Sequence, residues 1–156
     1  MGWIVMRHGA LYAAEYGWDM GFEALVARIA ADFIDRFETT REACWIAERD
    51  GLPLGCVCLV QARDEASGAI DAGAAQLRLL LVEPAARGLG VGKTLVQACE
   101  SSARAAGYAR IRLRTNARLP AARRICQRAG HGLTGNEAHH SFGHDLVDET
   151  WELALG

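Results

Sequence analysis

The stretch L-R-L-L-L-V-E-P-A-A-R-G-L-G-V-G-K-T, Leu77 to Thr94, decides how this chain folds. Its first half, taken from Gln76 to Val82, is almost continuously apolar, as expected of a central strand buried on both faces. Pro84 ends the strand, and glycines at 88, 90 and 92 form a turn. A helix follows, with Val91, Leu95, Cys99, Ala103 and Ala106 on one stripe and Gly107 placed to stop it. Glycines let several backbone N–H groups converge, and the helix N-terminus adds partial positive charge, so the turn reads as an anion site. A plain strand-turn-helix, with glycines only for close packing, is the alternative; Arg87 and Lys93 at its flanks weigh against it.

Two familiar phosphate loops do not fit. A Walker A loop needs glycine six residues before the lysine, and that position holds Arg87. A dinucleotide fingerprint starting at Gly88 needs its third glycine where Lys93 stands. Arg87-Gly88-Leu89-Gly90-Val91-Gly92 instead resembles the R/Q-x-x-G-x-G/A signature of GCN5-related N-acetyltransferases, preceded by the apolar strand that family uses.

Beyond the helix, Ile111, Leu113 and Thr115 alternate with Arg110, Arg112 and Arg114 in a strand that completes a parallel crossover unit. Pro120 and Gly130 bracket another helix, with Ala122, Ile125, Cys126 and Ala129 on one face. The segment from Gly132 to Ser141 reads as irregular or weakly extended, and Trp151, Leu153 and Leu155 mark a last strand. Upstream, Trp3–Met6 reads as a first strand and Leu11–Trp18 as a short helix. Phe22, Leu25, Val26, Ile29, Ala30, Phe33, Ile34 and Phe37 recur at helical spacing, and that stripe should cover a sheet. Cys44–Glu48 and Gly55–Val60 form a hairpin through Asp50-Gly51 and Pro53. Arg63–Gly73 reads as a loop.

This order is similar to the acetyltransferase family over essentially the whole chain. It implies a mixed, mostly antiparallel α/β sheet with one splayed parallel strand pair and about four helices. The segments at 7–18 and 139–153 further resemble the acetyltransferase half of bacterial proteins in which a MarR-type DNA-binding domain precedes it. No helix-turn-helix module lies in these residues, so DNA binding is not carried over.

The resemblance implies acetyl-CoA as donor. The backbone of Leu81 and Val82 would meet the pantetheine arm and polarise the thioester carbonyl. The N–H groups from Gly88 through Leu89, Gly90, Val91 and Gly92 to Lys93 would hold the pyrophosphate, with Arg87 adding charge. Asn116 and Arg123 are assigned to the coenzyme on the same likeness. The family's tyrosine acid falls at Cys126 and the following phenylalanine at His131. Cys126 is a candidate acid that reads more simply as a small buried hydrophobe. For the base, Glu83 is the nearest carboxylate but sits at the strand exit and reads as exposed. Tyr12, Tyr16 and Glu15 belong to the segment that forms one wall of the acceptor site in the family, and they are catalytic candidates that each read more simply as structural. His139, His140 and His144 invite a metal reading, but their spacing is not diagnostic. A cleft-lining loop, with one histidine accepting a proton through water, is the plainer account, and no metal is expected.

Arg78, Arg112 and Arg114 alternate with leucines in neighbouring strands. If they share the acceptor face they could recognise an acidic substrate; pairing with helix carboxylates such as Asp32 or Glu38 explains them equally well.

Composition bounds the rest. One domain over residues 1–156 is expected, and a formal charge of −2 gives no global case for nucleic-acid or membrane attraction. Five cysteines without a C-x-x-C pair suggest a reducing cytoplasm. No run approaches ~18 uncharged apolar residues, so no membrane span or signal core is expected. An apolar last strand and the family's habit of pairing make a homodimer an expectation. The reading is an N-acetyltransferase working by direct attack of an unidentified amine in a ternary complex. The alternative is a non-catalytic acyl-CoA-binding module, motivated by the missing tyrosine and by the absence of a carboxylate on the central strand, where Gln76 and Arg78 stand.

Overall fold

A computed structural model, describing residues 1–156, gives the order α1 (Gly2–Tyr16), α2 (Met20–Arg36), β1 (Ala43–Arg49), β2 (Leu52–Arg63), β3 (Ile70–Val82), α3 (Val91–Ala105), β4 (Arg110–Asn116), α4 (Pro120–Arg128), β5 (Gly132–Ser141) and β6 (His144–Ala154). The six strands form one sheet in the order β1-β2-β3-β4-β6-β5. All neighbours are antiparallel except β3 and β4. The expected fold class is therefore the observed one.

Two expected elements differ. Trp3–Met6 is not a strand but the first turns of α1, in which Ile4, His8 and Leu11 are buried at helical spacing. Four apolar residues suit either period, and α1 continues well past them. Gly132–Ser141 is a full strand: its side chains are mostly exposed, so apolar alternation is missing, while the backbone pairs along β6. The β1–β2 turn is as expected, with Asp50 and Gly51 both at positive φ, as a two-residue type I′ turn requires.

The main core lies between the sheet and α3 with α4, where Leu77, Leu95, Val96, Cys99, Ile111, Leu113 and Trp151 are buried. Gly92 brings the two helices together, since a Cβ there would lie 2.8 Å from Ile125 Cδ1. The opposite face is covered less completely. Of the α2 stripe only Val26 and Ala30 are buried, while Ile34 and Phe37 are exposed. Leu25 and Ile29 line a cleft instead of sealing a core. β6 lies between β4 and β5, so the apolar last strand is spent inside the sheet and offers no free edge for pairing.

Candidate active site

The site starts from a break in β3. Cys56 pairs with Leu81 and Cys58 with Arg78, so two β3 residues, Leu79 and Leu80, stand opposite the single Val57. This is a β-bulge. Leu79 adopts φ 56°, a left-handed conformation that costs a branched residue about 1–2 kcal/mol. The bulge bends β3 away from its parallel partner. The ladder with β4 runs from Ala74↔Arg110 to Leu77↔Leu113 and stops. Beyond it the backbone of β3 has a partner on the β2 side only.

Which residues face the gap follows from strand alternation. The Glu83 N–H donates to Leu54 O on the β2 side, and the Leu81 carbonyl points there too, lying 2.5 Å from where a Cβ on Gly55 would be. Successive residues direct their backbone groups to opposite neighbours, so those of Leu80 and Val82 face the gap. Of the two residues expected there, Val82 has its backbone toward the gap, and Leu81 has its backbone toward β2, with Leu80 facing the gap in its place. Sequence could not give this parity, because nothing in L-R-L-L-L-V announces the bulge.

At the mouth of the gap lies the glycine turn. Gly88 and Gly90 have φ of 82° and 79°, and a Cβ on either would project into open space. The N–H groups of Gly88, Gly90, Val91, Gly92 and Lys93 have no backbone acceptor, the first helical bond being Thr94 N–H to Gly90 O. Leu89 differs, its N–H donating to Ala86 O. The residues fit a pyrophosphate: several unpaired donors lie at a helix start where side chains leave room.

Two ion pairs tie α1 across this mouth. Arg7 holds Glu83 through two hydrogen bonds of 2.5 and 2.7 Å. Arg87 pairs with Glu15 at 2.7 Å. Glu83 is therefore a half-buried anchor for α1, not an exposed carboxylate free to accept a proton. Of the other expected coenzyme residues, Asn116 is buried, accepting from the Arg118 N–H and donating to Asp148. Arg123 turns inward to Glu149 at 3.0 Å. Cys126 is buried among apolar neighbours, which pushes its thiol up to about 12, too high for an effective acid.

Behind the gap is a cleft of about 390 Å³. Its floor is β3 from Gln76 to Leu80 and β4 from Leu113 to Asn116; α1 and α2 form one wall with His8, Tyr12, Phe22 and Leu25. Tyr12 stacks on His8 with centroids 5.9 Å apart, and burial raises its phenol above the ordinary range, so it stays protonated. The far wall comes from β5 and β6. There His139 Nδ1 lies 2.8 Å from Ser141 Oγ, and Nε2 lies 2.9 Å from Asp148 Oδ1. The second approach is within ion-pair distance but is not aligned as a hydrogen bond. The other two histidines point elsewhere, His140 to Asp145 and His144 to the Gly17 carbonyl. The segments at 7–18 and 139–153 meet here, with the Asp19 N–H donating to Phe142 O and Trp18 packed on Phe142.

A six-stranded sheet that parts along its parallel pair, with a backbone anion cradle at the opening, defines the class of this protein. The model of the Acetyltransferase (GNAT) family matches residues 10–131, and the chain belongs to that family. Among solved structures, yncA from Salmonella typhimurium, determined with its cofactor acetyl-CoA, superposes with a TM-score of 0.73 at 19% identity, over 97% of this chain and 85% of that one. A ribosomal-protein-alanine N-acetyltransferase from Brucella melitensis gives 0.72 at 18% identity, over 98% and 92%. An N-acetyltransferase from Staphylococcus aureus Mu50 gives 0.67 at 20%, over 84% and 75%. At these identities the likeness is one of fold. No curated protein matches the chain.

Proposed function

We propose that this chain transfers an acetyl group from acetyl-CoA to an amine by direct attack in a ternary complex. The observation that carries the reading is the juxtaposition of the β3–β4 gap with the unpaired N–H groups at Gly88 and Gly90 to Lys93. Bound acetyl-CoA supplies an activated acyl thioester. The pyrophosphate would lie on the glycine turn, with Lys93 beside it, and the pantetheine arm along the Leu80–Val82 edge. A backbone N–H facing the gap, from Leu80 or Val82, would polarise the acyl carbonyl.

The acceptor must lose its proton before it attacks, and the far wall of the cleft is built to take it. Ser141 would receive a proton from the ammonium while passing its own to His139, and Asp148 would steady the resulting imidazolium. Asn116, holding Asp148 at 3.1 Å, orients that carboxylate and acts as a positioning residue. Cys126 plays no part, and the leaving thiolate would be protonated from water. His139→Gln should lower kcat about 10²- to 10⁴-fold with little change in acetyl-CoA affinity. Equal turnover by that variant would remove the relay from the mechanism.

The direct test is release of free coenzyme A thiol from acetyl-CoA in the presence of amines. Coenzyme binding without any thiol release would favour the acyl-CoA-binding module instead. The five free cysteines suit a reducing compartment, and the cytoplasm belongs to this proposal. So does a homodimer, which light scattering after gel filtration would reveal. No helix of the chain is long and apolar enough to cross a membrane.

A further inference from the structure

Two polar side chains on the cleft floor are left without partners. Gln76 is only 6% exposed and lines the cleft; its amide is paired with no other side chain, and its polar atoms stay open to the cleft and are not sealed in the core. Arg78, two residues on along the same strand, is half-buried, lines the same cleft, and has no carboxylate within ion-pair distance. The neighbouring strand is different. Arg114 is held by Glu65, Glu137 and Asp148, and Arg112 by Asp71 and Glu152. These four residues share one face of the sheet, since Gln76 lies opposite Arg112 in the parallel ladder. Only the two in β3 lack a side-chain partner. Asp32 and Glu65 influence Arg78 from a distance without pairing, while Arg114 and burial both work against its charge.

A half-buried guanidinium with no counter-ion, beside an amide with no side-chain partner, leaves its donors turned to the cleft, where an anionic group would complete them. Together they offer a forked cation and a neutral donor to one acid group. We propose that the acceptor is a free amino acid whose carboxylate binds Arg78 and Gln76 and whose side chain is aromatic or aliphatic. This rests on the acetyl-transfer reading and names the substrate class of that same cleft. The apolar body would lie against Tyr12, Phe22, Leu25 and Ile29, which leave no charged group on that wall. The amine would then point to Ser141. The amine nitrogen forms the new amide bond, the carbon–sulfur bond breaks, and the carboxylate stays ionised throughout. A cleft of about 390 Å³, near the small end of the ~300–1,000 Å³ range of ligand pockets, suits such a molecule.

The test uses matched pairs that differ only in the acid group: L-phenylalanine against phenethylamine, and L-leucine against 3-methylbutylamine. Each is titrated into protein loaded with coenzyme A, and each is assayed for thiol release from acetyl-CoA. The amino acid should be favoured about 100-fold over its twin. Arg78→Gln should erase that preference while the twin is little affected, Arg78→Lys should restore part of it, and Gln76→Leu should lower it about 10-fold. Acetyl-CoA should bind wild type and Arg78→Gln equally. Loss of coenzyme binding by wild type would defeat the acetyl-transfer reading itself. With coenzyme binding intact, equal use of both twins, no binding of either amino acid, or an Arg78→Gln defect shared by both twins would overturn the substrate class.

Discussion

Gly90 carries more of the account than any other single residue. At φ 79° it opens α3, its own N–H and those that follow to Lys93 have no backbone acceptor, and a Cβ there would meet nothing within 4 Å. A side chain would thus leave the packing alone and act on the anion site. Gly90→Ala should cost about 1 kcal/mol of stability from the left-handed backbone and weaken acetyl-CoA binding. Gly90→Asp adds a negative charge where the pyrophosphate would lie. It should lower acetyl-CoA affinity at least 100-fold, by roughly the ~3 kcal/mol of a lost charged hydrogen bond. Calorimetry on the folded variant checks it, and undiminished affinity would mean that the turn is not the phosphate site. Gly92 does different work, giving Ile125 its place. Close packing accounts for Gly92, whereas a Cβ at Gly88 or Gly90 would meet nothing within 4 Å.

Among the elements, β3 decides where chemistry can occur, because its bulge both ends the β4 ladder and selects Leu80 over Leu81. Gly55 permits this, since the Leu81 carbonyl would lie 2.5 Å from a Cβ at that position. Gly55→Ala should therefore displace the strand at the bulge, destabilising the protein by about 1–3 kcal/mol and reducing turnover together. Denaturant unfolding measures the first effect, and an unchanged midpoint would contradict the close approach. The strand, the glycine turn and the helix after it were legible from Leu77 to Thr94, because apolar run, proline and glycines all act locally. The bulge was not, since a left-handed Leu79 has no signature in residue type. Nor was the proximity of Ser141, His139 and Asp148, which depends on β5 pairing with β6 in one register. The opening helix was missed because four apolar residues fit either period. In sequence Arg78, Arg112 and Arg114 form one set, and only the sheet separates the paired arginines in β4 from the unpaired one in β3.

The molecule as a whole should be sensitive to mild acid. Burial lowers the proton affinity of His8, whose Nδ1–H donates to Ile4 O at 2.8 Å, and of His131. Both then ionise more readily in the unfolded chain, near pH 6.5, than in the folded one. Below that pH the unfolded state binds more protons, so stability falls as pH falls, through the window beneath about 6.5. Tm should drop between pH 7.5 and 5.5, and His131→Phe, which keeps an aromatic ring and removes the titration, should reduce the drop. A pH-independent Tm would mean that neither ring is held neutral by the fold.

These scales meet in one requirement, that the gap between β3 and β4 accept a thioester whose phosphates rest on the glycine turn. The most direct measurement is calorimetric titration of the protein with acetyl-CoA, run beside Gly90→Asp. Saturable binding at one site per chain, lost in the variant, is the expected result. Absence of binding by the wild-type protein, or equal binding by both, would contradict the assignment on which the acceptor cleft, the proton relay and the role of Arg78 all depend.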